Sequence, residues 1–306
     1  MQKCSVHTRL MGSDFELIVV ATTVQEGQRL LEAGIQEIKR LEKLLTEFSD
    51  TSETGKINAC AGIRPVTVVP EVYNLIQRCL HLSAMTQGAF DITAGTLKAL
   101  YNFKQQATQL PSWPTVKEAL TRTGYRHLAL GDHHEVYLRQ KGARIGFGAI
   151  GKGYAADCVK KLWLEMGVVS GVVNASGDLT AWGLQPDGQP WKVGIADPEH
   201  PDNILLWLPV DHKSVATSGN YEQYFDIAGT RYSHNIDPRS GWPARLLKSV
   251  TIISPSAELS DALATAVTIM GIEIGLNLVE QIPQVHAVIV DENGRIHTSQ
   301  KIKAYA

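Results

Sequence analysis

The sequence predicts an α+β fold: a mixed, curved or barrel-like β-sheet core flanked by helices. Three observations carry this prediction. A long helical periodicity appears early, with Leu31, Ile35, Ile38, Leu41, Leu45 and Phe48 stepping by three and four. Short β-type runs separated by turn residues crowd Val168 to Tyr232. Two more apolar helical segments then follow close to the end of the chain. Strands this clustered and helices this unevenly spaced argue against a doubly wound parallel sheet.

Taken in order, "HTRLMGSDFELIVVA" reads as two strands joined near Met11-Gly12-Ser13, and a helix is expected from Val24 to Phe48. "SDTSETGKINA" reads as turn. Pro70 opens a second helix that ends at Gly88, since proline suits a first helical turn and glycine a last one. "AFDITAGTLKALY" is expected to turn into a short helix, and a third helix to cover Val116 to Thr123. "QQATQLPSWPT", residues 105–115, is the candidate inserted loop in an otherwise single unit over 1–306. Short strands are expected around 127–130, 135–139 and 143–145, then a helix over Lys152–Met166. The β runs follow, and "KSVTIISP", "AELSDALATAVTIMG", "IEIGLNLVEQI" and "VHAVIVDENG" read as strand, helix, helix and strand.

Composition narrows the function. A net charge of −2 leaves no basic footprint for nucleic acid. No run approaches the ~18–20 apolar residues of a membrane helix, and the polar start has no apolar signal-peptide core. Cys4, Cys60, Cys79 and Cys158 are scattered and read as reduced thiols. These features point to the cytoplasm, with the periplasm as the alternative for a chain from which a leader has been removed.

The chemistry-bearing residues fall in short motifs. "GFGAIGKGYAAD" contains Gly146-x-Gly148-x-x-Gly151 followed by Lys152, a literal dinucleotide fingerprint. Its context is wrong for a Rossmann unit, because β meanders follow it rather than a second βαβ half. Two readings remain: glycines that permit a tight helix entry, or helix-start N–H groups that face an anion. Asp261 and Thr265 share one helix face at i and i+4. They suit a hard cation, but spacing alone favours a dipole-complementing Asp and a Thr bonded back to a carbonyl. His234, before the turn Asp237-Pro238-Arg239-Ser240-Gly241, is a candidate base or a hydrogen-bonded surface residue. Asp91 in "GAFDITAG" suits either a ligand contact or a cap for the helix near Thr93. Ser218 lacks the flanks of a nucleophile elbow.

In this order the motifs "LTEFSDTSETGKIN", "GAFDITAGTL", "GAIGKGYAAD", "WKVGIADP", "SVATSGNYEQYF", "SHNIDPRSG" and "ELSDALATAVTIMG" resemble the FAD:protein FMN transferases, or ApbE-type flavin transferases, over nearly the whole chain. The resemblance implies a Mg²⁺-dependent enzyme. It would move FMN from FAD onto a Ser or Thr of an acceptor flavoprotein and release AMP. Some members hydrolyse FAD to FMN and AMP, and a non-catalytic FAD-binding protein is a third reading. By the same resemblance the metal ligands are Asp261, Thr265 and the Ala149 carbonyl. The flavin nucleotide would contact Met11, Phe48, Ala89, Phe90, Asp91, Gly146, Lys152 and Ile236, and His234 would take the proton of the acceptor hydroxyl. Three positions depart from the family pattern: Gly146 stands where members carry an acid, Phe48 where many carry tyrosine, and Ser176 where a glycine precedes Gly177.

Overall fold

The computed structural model describes residues 1–101, 103, 109–200, 203–219, 224–227, 230–244 and 247–300, without the side chains of 225, 226, 230 and 231. Positions 105–108 of the expected inserted loop, and 220–223 of "SVATSGNYEQYF", lie outside the described residues.

The chain opens with β1 (Gln2–Leu10) and β2 (Ser13–Ala21), in register from Gln2↔Ala21 to Leu10↔Ser13. Met11 (φ 51°) and Gly12 (φ 73°) both take the left-handed conformation that a two-residue hairpin of this twist requires. α1 (Val24–Leu45) starts where the Thr23 hydroxyl accepts from the Glu26 N–H, and it stops three residues short of Phe48. Residues read as turn then form α2 (Glu53–Ala59). At seven residues it is too short to show a period, and its anchors are tertiary. Ser52 Oγ accepts from Gly55 N, Thr54 Oγ1 donates to Leu45 O, and Glu53 accepts from Val69 N.

β3 (Val66–Thr67), α3 (Pro70–Met85), α4 (Gly95–Lys98) and α5 (Trp113–Leu120) follow. α5 begins three residues before the expected Val116, because Ser112 caps Thr115 and Pro114 sits in the first turn, where its missing N–H leaves no bond unmade. β4 (Leu128–Leu130) and β5 (Glu135–Leu138) complete a small sheet of order β3-β5-β4. The expected strand at 143–145 does not form: this stretch is irregular and leads into α6 (Gly151–Glu165).

The meander supplies β6 (Gly171–Ala175), β7 (Asp178–Trp182), β8 (Trp191–Ala196), β9 (Ile204–Val210), β10 (Lys213–Gly219), β11 (Tyr224–Ile227) and β12 (Thr230–Ser233). β13 (Leu247–Ser254), α7 (Ala257–Met270), α8 (Ile272–Glu280), β14 (His286–Asp291) and β15 (Ile296–Thr298) end the described chain.

The main sheet has eight strands in the order β1-β2-β6-β7-β10-β13-β14-β15, and every pairing is antiparallel. It is open, with edges at β1 and β15, so the α+β class holds but the sheet does not close into a barrel, and its strands do not mix directions. Alternation along the strands divides its two faces. Leu17 and Val19 of β2 pack against Leu30 and Ile38 of α1 and Val159 and Trp163 of α6. Ile18 and Val20 face the β8–β9 ribbon through Trp191, Ile195, Leu206 and Leu208. α7 lies on the helical face over β10 and β13, with Leu263 and Val267 against Val250 and Ile252. Among the described residues, no helix is long and apolar enough to cross a membrane.

α6 and α7 touch at their backbones. A Cβ on Gly153 would lie 2.2 Å from the Ala257 carbonyl oxygen and 2.9 Å from Asp261 Cβ, so this position requires glycine for close approach. Gly153→Ala is therefore expected to push the helices apart and to destabilise the fold by roughly 1–3 kcal/mol. A fall in the midpoint of urea unfolding at unchanged m-value is the signature to measure.

Candidate functional site

The end of α6 that meets α7 borders a cleft. Four backbone segments and one further side chain line it. Ala89, Asp91 and Lys98 come from the stretch that ends in α4; Gly146, Gly148 and Ala149 come from the loop into α6. Asn235, Ile236 and Pro238 come from the turn after β12, Thr265 and Ile269 from α7, and Glu47 from the link between α1 and α2.

Each segment is pinned by its own hydrogen bonds. Asp91 Oδ1 accepts from the Thr93 N–H (2.8 Å) and hydroxyl (2.7 Å), and Oδ2 accepts from Tyr125 N (2.6 Å). Burial pushes this carboxyl up, while those three donors pull it back. Asp91 thus caps the 3₁₀ turn Ile92–Ala94, the structural alternative that its sequence context left open. Gly146 N donates to Ile92 O (2.9 Å), tying the glycine loop to this turn. Asn58 of α2 clamps the same loop from the other side: its Nδ2 donates to Ile145 O (3.0 Å) and its Oδ1 accepts from Ile145 N (2.8 Å). The turn after β12 is closed by Gly241 N donating to Asp237 O (2.7 Å), and Tyr101 Oη donates to Gly241 O (2.7 Å).

The helix pair decides which oxygens face the cleft. Asp261, 6% exposed, accepts the Gly153 N–H on Oδ2 at 3.0 Å. Gly153 lies in the first turn of α6, where N–H groups have no partner within the helix, and Asp261 supplies one. The carbonyl of Ala149, just before the helix, makes no hydrogen bond among the described residues. Thr265 has no hydrogen bond among the described residues either; Thr268 is the threonine that bonds back along α7, donating to Ala264 O at 2.8 Å. An unpartnered carbonyl, a hydroxyl and a carboxylate form an all-oxygen donor set, the type that hard divalent cations take. The residues present therefore fit such an ion.

The other expected contacts divide. Ala89 and Ile236 line the cleft, whereas Phe90 (1% exposed) packs into the core and does not line it. Met11 sits at the hairpin turn, half-buried, with its side chain near the start of α6: a Cβ on Gly151 would lie 3.6 Å from Met11 Cε. Phe48 is 89% exposed beside Glu47, a ring surface open to stacking. Lys152 points away along α6 to an ion pair with Asp178, 2.5 Å. Burial pushes the Asp178 carboxyl up and the lysine charge opposes it. His234 is half-buried between the buried Ser233 and Asn235, two residues before Ile236.

Glu47, Asn58, Lys98 and Asn235 were not singled out in the sequence. Lys98 carried one signal, a lone charge in "GTLKALY". Burial lowers its pKa, against the charges of Glu47 and Asp261 that favour the ammonium. Because the Thr265 hydroxyl has no hydrogen-bond partner among the described residues, Thr265→Val is expected to change stability by no more than about 0.5 kcal/mol. Equilibrium denaturation checks this, and a larger loss would show that the hydroxyl serves the fold.

Comparison with known proteins places this geometry in company. The profile of the ApbE family matches residues 11–289. The FAD:protein FMN transferase of Treponema pallidum is 34% identical over 293 residues, 90% of this chain and 81% of that protein. That of Escherichia coli K12 is 29% identical over 272 residues, 87% and 78% of the two chains. Among solved structures, the ApbE protein of Thermotoga maritima superposes with a TM-score of 0.90 at 32% identity, covering 98% of this chain and 97% of its own. The Pseudomonas stutzeri flavinyl transferase ApbE gives 0.87 at 29%, covering 98% and 95%.

Proposed function

The chain belongs to the ApbE family, and from that premise we infer that it is an FAD:protein FMN transferase, taking FMN from FAD and attaching it to a target protein. The observation that carries the reading to this cleft is the Ala149 carbonyl, which makes no hydrogen bond among the described residues and belongs to a residue lining the same cavity as Thr265.

FAD lies with its pyrophosphate toward Ala149, Asp261 and Thr265, and Phe48 offers a ring face to one end of the nucleotide. The same three residues would hold Mg²⁺, which would neutralise charge on the pyrophosphate oxygens. The acceptor is a serine or threonine hydroxyl of the target protein. Its oxygen forms the new bond to the FMN phosphorus, the anhydride bond breaks, and AMP departs with the electron pair. His234 accepts the hydroxyl proton, a role open to imidazole near neutral pH. Lys152 is already paired with Asp178, so it acts by holding the start of α6 against the β6–β7 turn.

Incubation with FAD, Mg²⁺ and an acceptor flavoprotein domain is expected to raise the acceptor's intact mass by one FMN, with AMP formed in equal amount. Free FMN and AMP without modified acceptor would replace transfer by hydrolysis. His234→Ala is expected to slow transfer by roughly 10²–10⁴-fold while leaving FAD affinity within a few-fold; a variant that loses binding and rate together would make His234 a ligand contact instead.

A further inference from the structure

Glu47 has no assigned role, yet its carboxylate lies in the cleft against Gly146. A Cβ built on Gly146 would lie 3.1 Å from Glu47 Oε1, 3.3 Å from Cδ and 3.5 Å from Oε2. No other side chain or backbone atom comes nearer to that point. Gly146 does not have a positive φ, so its backbone conformation does not call for glycine. The constraint at 146 is the space taken by the glutamate.

Glu47 is held for this. Thr46 N donates to Glu42 O at the end of α1 (3.0 Å), and Ser52 Oγ donates to Thr46 O (2.5 Å), fixing the backbone on which Glu47 stands. Its carboxylate makes no hydrogen bond among the described residues. The Lys98 ammonium shares its surroundings and balances its charge in part.

We propose that Glu47 is a nucleotide-binding carboxylate of this cleft, occupying the volume that a side chain at 146 would fill and accepting a hydrogen bond from a hydroxyl or N–H group of FAD. The motif resemblance implies an acid at position 146; here a carboxylate reaches the same place from the α1–α2 link, next to the exposed ring of Phe48. The inference rests on the reading of the cleft as the FAD site.

The test is FAD titration, followed by calorimetry, of the full chain and three variants: Glu47→Ala, Gly146→Asp and the double variant. Circular dichroism and the unfolding midpoint establish that each is folded. Glu47→Ala is expected to bind FAD roughly tenfold to hundredfold more weakly, the loss of a charge-assisted hydrogen bond. Gly146→Asp is expected to weaken binding as well, because two carboxylates compete for one volume. In the double variant, Asp at 146 supplies the acceptor and affinity recovers above that of Glu47→Ala. Native protein that binds FAD while Glu47→Ala binds it equally well overturns the assignment and leaves the functional reading standing. A double variant no tighter than Glu47→Ala overturns the shared volume. Native protein that does not bind FAD overturns the functional reading and the assignment with it.

Discussion

The site depends on two helices that cap each other. Asp157 of α6 accepts from the N–H groups of Ala257 and Glu258 and from the Ser256 hydroxyl, closing the N-terminus of α7. Asp261 of α7 accepts from Gly153 N, in the first turn of α6. Each carboxylate therefore meets the positive end of the other helix's dipole, and Gly153 allows the backbones near enough for both bonds to form. Ala149 stands just before α6, and its carbonyl makes no hydrogen bond among the described residues, while the Gly153 N–H is held by Asp261. The same helix start carries Lys152 to Asp178, so the β6–β7 turn is anchored by the pair as well.

Around this fixed edge, the cleft is assembled from segments that are rigid before any ligand arrives. Asp91, Asn58 and Tyr101 all bond to backbone groups of the loops that form its walls. Their polar atoms are engaged in holding those loops. The groups left over for a ligand are few and of one kind on each side: oxygens at Ala149, Thr265 and Glu47, and an ammonium at Lys98. A pre-formed site with a small number of convergent polar groups limits the ordering cost of binding a long flexible dinucleotide. The charges of Glu47 and Asp261 favour the buried Lys98 ammonium, offsetting part of what burial takes from it, which leaves a mixed-sign cleft rather than a simple anion hole.

What could be read in the chain itself follows the range of the interactions concerned. The β1–β2 hairpin, α1 and α7 were legible because period, cap and turn residue sit within a few positions of one another. Met11-Gly12 and Thr23 are examples. The ordered motifs carried the family, and with it the transferase reading. α2 was not legible, since its seven residues are held by Leu45 and Val69 rather than by their own period. The 143–145 stretch has a strand's composition, but Asn58 takes the backbone bonds of Ile145 that a neighbouring strand would have used.

The clearest case is the pair Asp261 and Thr265. Spacing favoured a structural reading for both, and it was half right. Asp261 does complement a helix dipole, but that of a helix 108 residues away, and Thr265 leaves the carbonyl bond to Thr268. In the same way, Gly146 stands where the motif resemblance implies an acid, and the Glu47 carboxylate lies 3.1 Å from where a Cβ at that position would be. The sequence alone determined the class of fold, the family and which short motifs matter, because those are recorded in local pattern and order. Only the tertiary structure decided which oxygens face the cleft, because a hydrogen bond's partner depends on where distant segments meet, and no local period records that meeting.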